Sequence, residues 1–333
     1  MSGLYNVVMK TTLYNPAVAL SQIQNDIAGF LKQGWGGENM TDYVLSCCST
    51  ADLTKEHFAE RNINYICFSY ELDGVRYPDD LGVSMSFDEF YKAMENGAST
   101  KTSQVNVTEY EEYFERFLKD GKDVLHVCLS SGISGTYNSA CIARDMVAER
   151  YPDRKVYVVD SLAAASGYGL MMDDLADMRD SGKSIDEVLD WVEVNKLRMN
   201  HWVATTELKY LVRGGRLSKT AGVVGGILNI CPIIHVDVNG KLQAGQKVRG
   251  KKKAIEELVK MMEQHAENGT AYSGKCYISH SACMEEALAL KSLIEGKFPN
   301  LAAIEIDTIG TVIGSHTGPG TFVVFFWGDT RVE

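Results

Sequence analysis

The stretch Ser130-Ser131-Gly132-Ile133-Ser134-Gly135-Thr136-Tyr137 gathers four aliphatic hydroxyls around two glycines. It follows an apolar run, Val124 to Leu129, that reads as a buried parallel strand. It precedes a helical segment, Tyr137 to Arg150, whose apolar positions are Ala140, Ile142, Ala143, Met146 and Val147. A strand, a hydroxyl-rich turn and a helix start make a local anion site, because the free N–H groups and positive dipole end of the first helical turn face whatever sits there. Any such turn can carry glycine and serine for structural reasons alone; four hydroxyls favour a ligand. A second candidate is His316, within Ile313-Gly314-Ser315-His316-Thr317-Gly318-Pro319-Gly320. That segment reads as a loop, too polar for a core and too glycine-rich for a helix. An imidazole titrating near neutrality there could donate to a carboxylate or phosphate. A third polar cluster, Ser99 to Gln104, shows no periodicity.

The elements that must hold these groups alternate strand and helix. Tyr43–Cys48, Tyr65–Phe68, the run before Ser130, and Val156–Val159 read as core strands. Three of them end in Ser49/Thr50, Ser131 and Asp160/Ser161, and ligands bind outside the carboxyl ends of open parallel sheets. Ser86-x-x-Glu89, Thr108-x-x-Glu111 and Ser184-x-x-Glu187 predict capped helix starts, and Asp73-Gly74 predicts a hairpin in an excursion. From Ser166 the texture changes to helices over 166–180 and 185–199, a short strand His201–Ala204 and a short helix Glu207–Val212. Ala221 to Leu228 is apolar yet rich in glycine, which costs about 1 kcal/mol per residue in a helix; close helix packing or the wall of an apolar ligand would compensate. Asn239-Gly240 predicts a hairpin, followed by helix 251–267, strand Cys276–Ile278, helix 284–296, strand Ile304–Ile306 and an interior strand Thr321–Trp327. Residues 1–40 stand apart: Asn15-Pro16 with Leu20, Ile23, Ile27, Phe30 and Leu31 predicts an accessory helix without evident chemistry.

At 333 residues the chain suffices for two ordinary domains, and 45% apolar with 23% charged residues is a globular composition. No apolar run reaches the ~18–20 residues of a membrane helix, and Met1 to Tyr14 does not read as a secretory signal. Eight scattered cysteines without a C-x-x-C pair give no zinc-ribbon motif and suggest a reducing cytoplasm. The formal charge of −11 argues against nucleic acid as a partner. Yet ten basic residues lie between Lys209 and Lys253 against one acid, Asp237. They form a solvated face or a docking surface for an anionic ligand or acidic partner. There is no full Walker motif, because Gly182-Lys183-Ser184 has Asp177 where the first glycine would stand, and no Gly-x-Ser-x-Gly elbow; a Ser131–His316 pair remains as an alternative acyl hydrolase or small-anion enzyme.

Taken in order, several segments together resemble the DegV family of bacterial lipid-binding proteins. They are Ser49-Thr50-Ala51-Asp52-Leu53, Thr102-Ser103-Gln104, Ser131 to Tyr137, Val159-Asp160-Ser161, Arg213-Gly214-Gly215-Arg216-Leu217, Leu228 to Ile234, and Gly314 to Gly320. The resemblance covers about Tyr43 to Gly328. It implies two α/β domains, an N-terminal one with a parallel, Rossmann-like sheet (41–165) and a C-terminal one with a mixed sheet (166–333). Residues 69–98 would be an excursion packing on the second domain, and 1–40 an extension outside the resemblance. It implies one long-chain fatty acid in a tunnel between the domains and no other cofactor or metal. Characterised members present the acyl carboxylate to a separate fatty acid kinase subunit and are not themselves enzymes. The matching carboxylate-binding positions are Thr102 and Ser103, Ser131 or Ser130, and His316 with Thr317, Arg216 lying towards that end. Ser49, Thr50, Gly222, Gly225 and Ile227 are the expected tunnel-lining positions, and Arg249, Lys251, Lys252 and Lys253 the expected docking surface for the kinase. Cys48 stands where an acidic residue is common, Val105-Asn106 where Pro-Ser is usual, and Cys231 where a lysine often precedes the proline.

Overall fold

The computed structural model describes residues 43–218 and 229–332. The expected helix after Pro16 and the segment Ala221–Leu228, with Gly222, Gly225 and Ile227, lie outside the described residues. The first half builds two sheets. β1 (Tyr43–Cys48), β2 (Asn64–Ile66), β6 (Asp123–Cys128) and β7 (Val156–Asp160) are all parallel and ordered β2-β1-β6-β7. The helices between them include α1 (Lys55–Glu60), α3 (Val107–Lys119) and α4 (Thr136–Arg150). Between β2 and β6 the chain makes an antiparallel sheet of β3 (Ser69–Leu72), β4 (Val75–Pro78) and β5 (Thr100–Ser103), ordered β4-β3-β5, with α2 (Phe87–Glu95) inserted. The polar cluster after Ser99 is therefore an edge strand. It pairs Thr102 with Tyr70 and Lys101 with Glu71, so backbone pairing rather than apolar periodicity defines it.

The second half begins with α5 (Ser166–Asp180), α6 (Ile185–Asn195) and the short α7 (Lys209–Arg213). Its sheet combines β8 (Met199–Thr205), β9 (Ile230–Val236), β10 (Leu242–Arg249), β11 (Lys275–His280), β12 (Ala303–Thr308) and β13 (Thr321–Trp327). The order is β10-β9-β8-β13-β11-β12, with only β11 and β12 parallel. β13 lies between β8 and β11, which explains its unbroken apolar run. One face of this sheet is covered by α8 (Lys251–His265) and α9 (Met284–Lys297), around Leu258, Met262, Leu290 and Phe326. The other face turns to α5, eleven of whose fifteen residues are buried, and to the first half. The α/β class with a parallel N-terminal and a mixed C-terminal sheet is as the sequence predicts.

Local differences have local causes. Capping boxes form at Ser86/Glu89 and Ser184/Glu187, but α3 is capped by Asn106 with Glu109, not by Thr108 with Glu111. Asparagine is the better cap, and using it puts Thr108 inside the first turn. The helix expected over 185–199 ends at Asn195, and Met199 already belongs to β8. The glycine-rich segment expected to be a loop around His316 is a helix, α10 (Thr311–Thr317). Tertiary packing overrides propensity here: a Cβ at Gly314 would lie 2.3 Å from the Tyr91 hydroxyl oxygen, so glycine lets α2 reach α10. Tyr91 donates to the Ile309 carbonyl at 2.7 Å, and Thr311 donates to Asp79 at 2.6 Å. The excursion after β2 is thereby fastened to the C-terminal half.

The turn after β6 rests on the β9–β10 hairpin. A Cβ at Gly132 would lie 2.4 Å from the Asn239 carbonyl oxygen and 2.6 Å from that of Gly240, backbone that cannot swing aside. We expect Gly132→Ala to lose about 1–3 kcal/mol, read as a lower urea midpoint at unchanged slope. Gly296→Ala, in open space on α9, should be neutral or gain up to ~1 kcal/mol.

Candidate functional site

The two halves enclose a cavity of about 370 Å³, within the size range of small-molecule sites. Its wall on one side is the inner face of the six-stranded sheet. Val203 on β8, Ile234 and Val236 on β9, and Val323 and Phe325 on β13 are apolar lining residues, the paired positions being two apart on their strands, as one face of a pleated strand requires. The opposite wall comes from segments just beyond the carboxyl ends of β2, β6 and β7: Phe68, Leu129 with Ile133, and Ala164 with Ala165. Leu211, Val312 and Ile313 close the side formed by α7 and α10.

The polar lining is sparse and gathers where β5, the turn after β6, the segment after α7, and α10 approach. Thr102, Ser103, Gln104, Ser134, Arg216, His316 and Thr317 supply it. Thr102 Oγ1 and His316 Nε2 are hydrogen-bonded at 2.8 Å across 214 residues of chain. The imidazole Nδ1 and the Thr317 hydroxyl are buried without a hydrogen-bond partner, which is uncommon in a folded interior. Arg216 donates through Nε to the Ile133 carbonyl at 3.0 Å and through Nη1 to the Gly214 carbonyl at 2.6 Å. Burial lowers its pKa, and no neighbouring carboxylate opposes that shift. Burial, then the charges of Arg216 and Arg213, push His316 down to about 4. His316 is thus neutral near pH 7, not titrating there as its sequence context suggests. The arrangement offers one cation and several neutral donors to an anion.

Of the hydroxyls expected here, the structure brings Thr102, Ser103 and Thr317 to the cavity together with His316 and Arg216. Ser130 and Ser131 are not among its lining residues. Ser130 is buried and donates to the Gly240 carbonyl at 2.8 Å, so its hydroxyl joins the turn to the β9–β10 hairpin. Ser131 is exposed, its N–H held by Asp160 at 3.0 Å. The hydroxyl of this turn that does reach the cavity is Ser134. Ser49 and Thr50 do not line it either: Ser49 donates to Asp79 at 2.7 Å, and Thr50 is hydrogen-bonded to Tyr168. His201, read as part of an ordinary short strand, also lines the cavity. Its Nε2 accepts from Ala164 N–H and its Nδ1 faces the Met199 carbonyl, a pairing that fixes the proton on Nδ1 and uses both nitrogens. Nothing in its sequence neighbourhood signals that role. Of the basic docking positions, Arg249, Lys252 and Lys253 are exposed, while Lys251 is paired with Glu286 at 2.7 Å.

A cavity with an apolar sheet wall and a cationic, hydroxyl-lined corner, set between a parallel and a mixed sheet, defines a two-sheet α/β protein with an internal site of small-molecule size. The model of a family described as uncharacterised DegV proteins matches residues 48–329, and the chain belongs to the DegV family. A DegV domain-containing protein of Clostridium perfringens is 40% identical over 292 residues, covering 88% of this chain and 99% of its own. Among solved structures, a DegV lipid-binding protein of Thermotoga maritima matches at 29% identity and a TM-score of 0.76, over 87% of this chain and 99% of its own. A fatty-acid-binding DegV family protein of Thermus thermophilus matches at 26% identity and a TM-score of 0.75, over 86% and 100%. The fatty acid kinase B3 protein of Streptococcus pneumoniae, loaded with linoleic acid, shares the fold at 24% identity and a TM-score of 0.74, over 86% and 99%.

Because folding lowers the pKa of His316 from 6.5 to about 4, the unfolded chain binds the extra proton first. The resulting contribution to stability is full above pH 6.5 and is lost as the pH falls through 4. In ligand-free protein, His316→Gln should lose less stability than wild type between these limits, as read by urea denaturation at stepped pH.

Proposed function

We propose that this chain carries one long-chain fatty acid in the cavity and presents its carboxylate to a separate acyl-phosphate-forming kinase. The observation that carries the reading is the segregation of the lining: one apolar sheet face, and one corner where Thr102, Ser134, His316 and Arg216 converge. Burying an acyl chain of about sixteen carbons at ~0.8 kcal/mol per methylene yields over ~10 kcal/mol gross, part of which is consumed by ordering and association. Its carboxylate cannot be buried bare. With the proton of His316 on Nε2 and donated to Thr102 Oγ1, the Thr102 hydroxyl hydrogen is free for a carboxylate oxygen. Ser134 and the Arg216 guanidinium supply the further donors, the latter charge-assisted. Relatives described as binding lipid or fatty acid share the fold over nearly their whole length, which supports the same ligand class here.

A serine–histidine hydrolase finds less support. His316 Nε2 is engaged by Thr102, Ser130 is committed to Gly240, and Ser131 faces solvent. Among the described residues no helix is long and apolar enough to cross a membrane, which agrees with a carrier that receives its ligand rather than spanning the bilayer.

Denaturing mass spectrometry of an organic extract of the purified protein should release about one long-chain fatty acid per chain; protein that never retains one refutes the carrier. Thr102→Val and Ser134→Ala should each weaken retention by roughly 10-fold, the consequence of removing one partner of a buried charge (about 1–3 kcal/mol), whereas Ser131→Ala should leave it unchanged. Lys252→Glu with Lys253→Glu should leave fatty acid retention intact and slow acyl-phosphate formation by the kinase; undiminished formation places docking elsewhere.

A further inference from the structure

Inside the N-terminal half, between its parallel sheet and α3, lies a second constellation with no part in the reading above. The parallel register of β1 and β6 pairs Ser46 with His126 and Cys47 with Val127. Strand alternation therefore puts Ser46 and Cys48 on the same face as His126 and Cys128. α3 covers this face, laying Tyr110, Tyr113 and Phe114 over it, with the three rings edge-on to the His126 imidazole. Cys48, His126, Cys128 and Tyr110 are all 0% exposed. The two thiol sulfurs and one imidazole nitrogen lie within 4.8 Å of one another. Cys48 Sγ is 3.8 Å from His126 Nε2 and 3.2 Å from Tyr110 Oη, and Cys128 Sγ is 3.9 Å from Tyr110 Oη.

We infer that Cys48, Cys128 and His126 form a buried structural site for one zinc ion, with the Tyr110 hydroxyl oxygen at the fourth corner. Zinc–ligand distances of about 2.0–2.3 Å imply tetrahedron edges of roughly 3.3–3.8 Å, and the observed separations straddle that range. The second shell is already in place. His126 Nδ1 is held by Ser46 Oγ at 2.9 Å, which is itself bonded to Tyr113 Oη at 2.6 Å. A histidine ligand held through its other nitrogen is the usual arrangement around zinc. Tyr110 can pass its hydrogen to Thr136 Oγ1 at 2.8 Å, leaving oxygen lone pairs for the ion. Binding releases two thiol protons to solvent, and two thiolates then balance the divalent charge, so no net charge is buried. The ligands Cys48 and Cys128 are 80 residues apart in the chain, and sheet register rather than a C-x-x-C spacing assembles them. Full burial means that the ion enters as the sheet forms.

The test uses the full chain, unfolded in chelator and reductant and refolded with one equivalent of zinc chloride or cobalt chloride, then desalted through chelator. One zinc per chain by atomic emission, and a cobalt form with sulfur-to-cobalt charge-transfer absorption and tetrahedral d–d bands, are expected. Cys128→Ser should cut retained zinc more than 10-fold, whereas Cys47→Ser, on the same strand but the opposite face, should keep one per chain. Wild type that retains no zinc, or Cys128→Ser that retains as much as wild type, overturns the inference. If the serine variants fail to fold, the wild-type cobalt spectrum decides: absence of the charge-transfer band overturns it.

Discussion

The two sheets that enclose the cavity share one hydrophobic cluster beside it, and directional polar contacts around its margin fix how they sit. The structure shows these contacts between the halves. Ser130 donates to the Gly240 carbonyl, Thr311 and Ser49 both donate to the buried Asp79, and Tyr91 donates to the Ile309 carbonyl. The largely buried Arg331 donates to the Leu162 carbonyl at 2.8 Å. At the far edge, Asp173 on α5 joins His57 and Arg61 to Lys275 on β11. Burial opposes its ionisation, but the bonds to His57 and Lys275 hold its pKa well below the ordinary carboxylate range. A satisfied neutral hydrogen bond contributes only about 1 kcal/mol net, while a buried group left without its partner costs about 1–3 kcal/mol. The margin is therefore more important for fixing one relative placement of the sheets than for adding stability.

That division of labour determines what could be read from the chain. Strands that are buried along nearly their whole length, such as β1, β6 and β13, announce themselves by residue type. So do helices α4, α5, α8 and α9, because their interiors are continuous and their ends are marked. The hydroxyls do not. Ser49, Thr50 and Ser130 follow strand ends just as Ser134 follows β6, yet three of them serve the margin or the interior and one faces the ligand cavity. The difference lies in the direction of a single side chain, which depends on a hairpin more than a hundred residues away. β5 escaped notice because it is an edge strand that alternates between half-buried and exposed polar residues. α10 escaped notice because glycine at position 314 opposes a helix locally and is required by Tyr91 globally. The depressed pKa of His316 arises from burial and two arginines a hundred residues distant, neither of which its own loop-like neighbourhood records. Family resemblance pointed to segments that the fold brings to one cavity, and geometry was needed to tell which of the adjacent serines lines it.

The same geometry would reconcile an acidic protein with the proposed anionic ligand. With a formal charge of −11, the long-range field repels a carboxylate, but beyond a Debye length of about 8 Å at physiological ionic strength that field is largely screened. Inside the cavity the balance is local. Arg216 is half-buried, bonded only to carbonyls through Nε and Nη1, and has no neighbouring carboxylate lifting its pKa, while His316 remains neutral. A protonated His316 would add a second buried cation and a second desolvation cost; a neutral one supplies hydrogen bonding without it. One fixed positive charge facing one incoming negative charge leaves the occupied corner neutral, the state in which burying both is least costly. In the proposed carrier the apolar wall would set how strongly the ligand is held, and the corner would set which end of it faces the kinase.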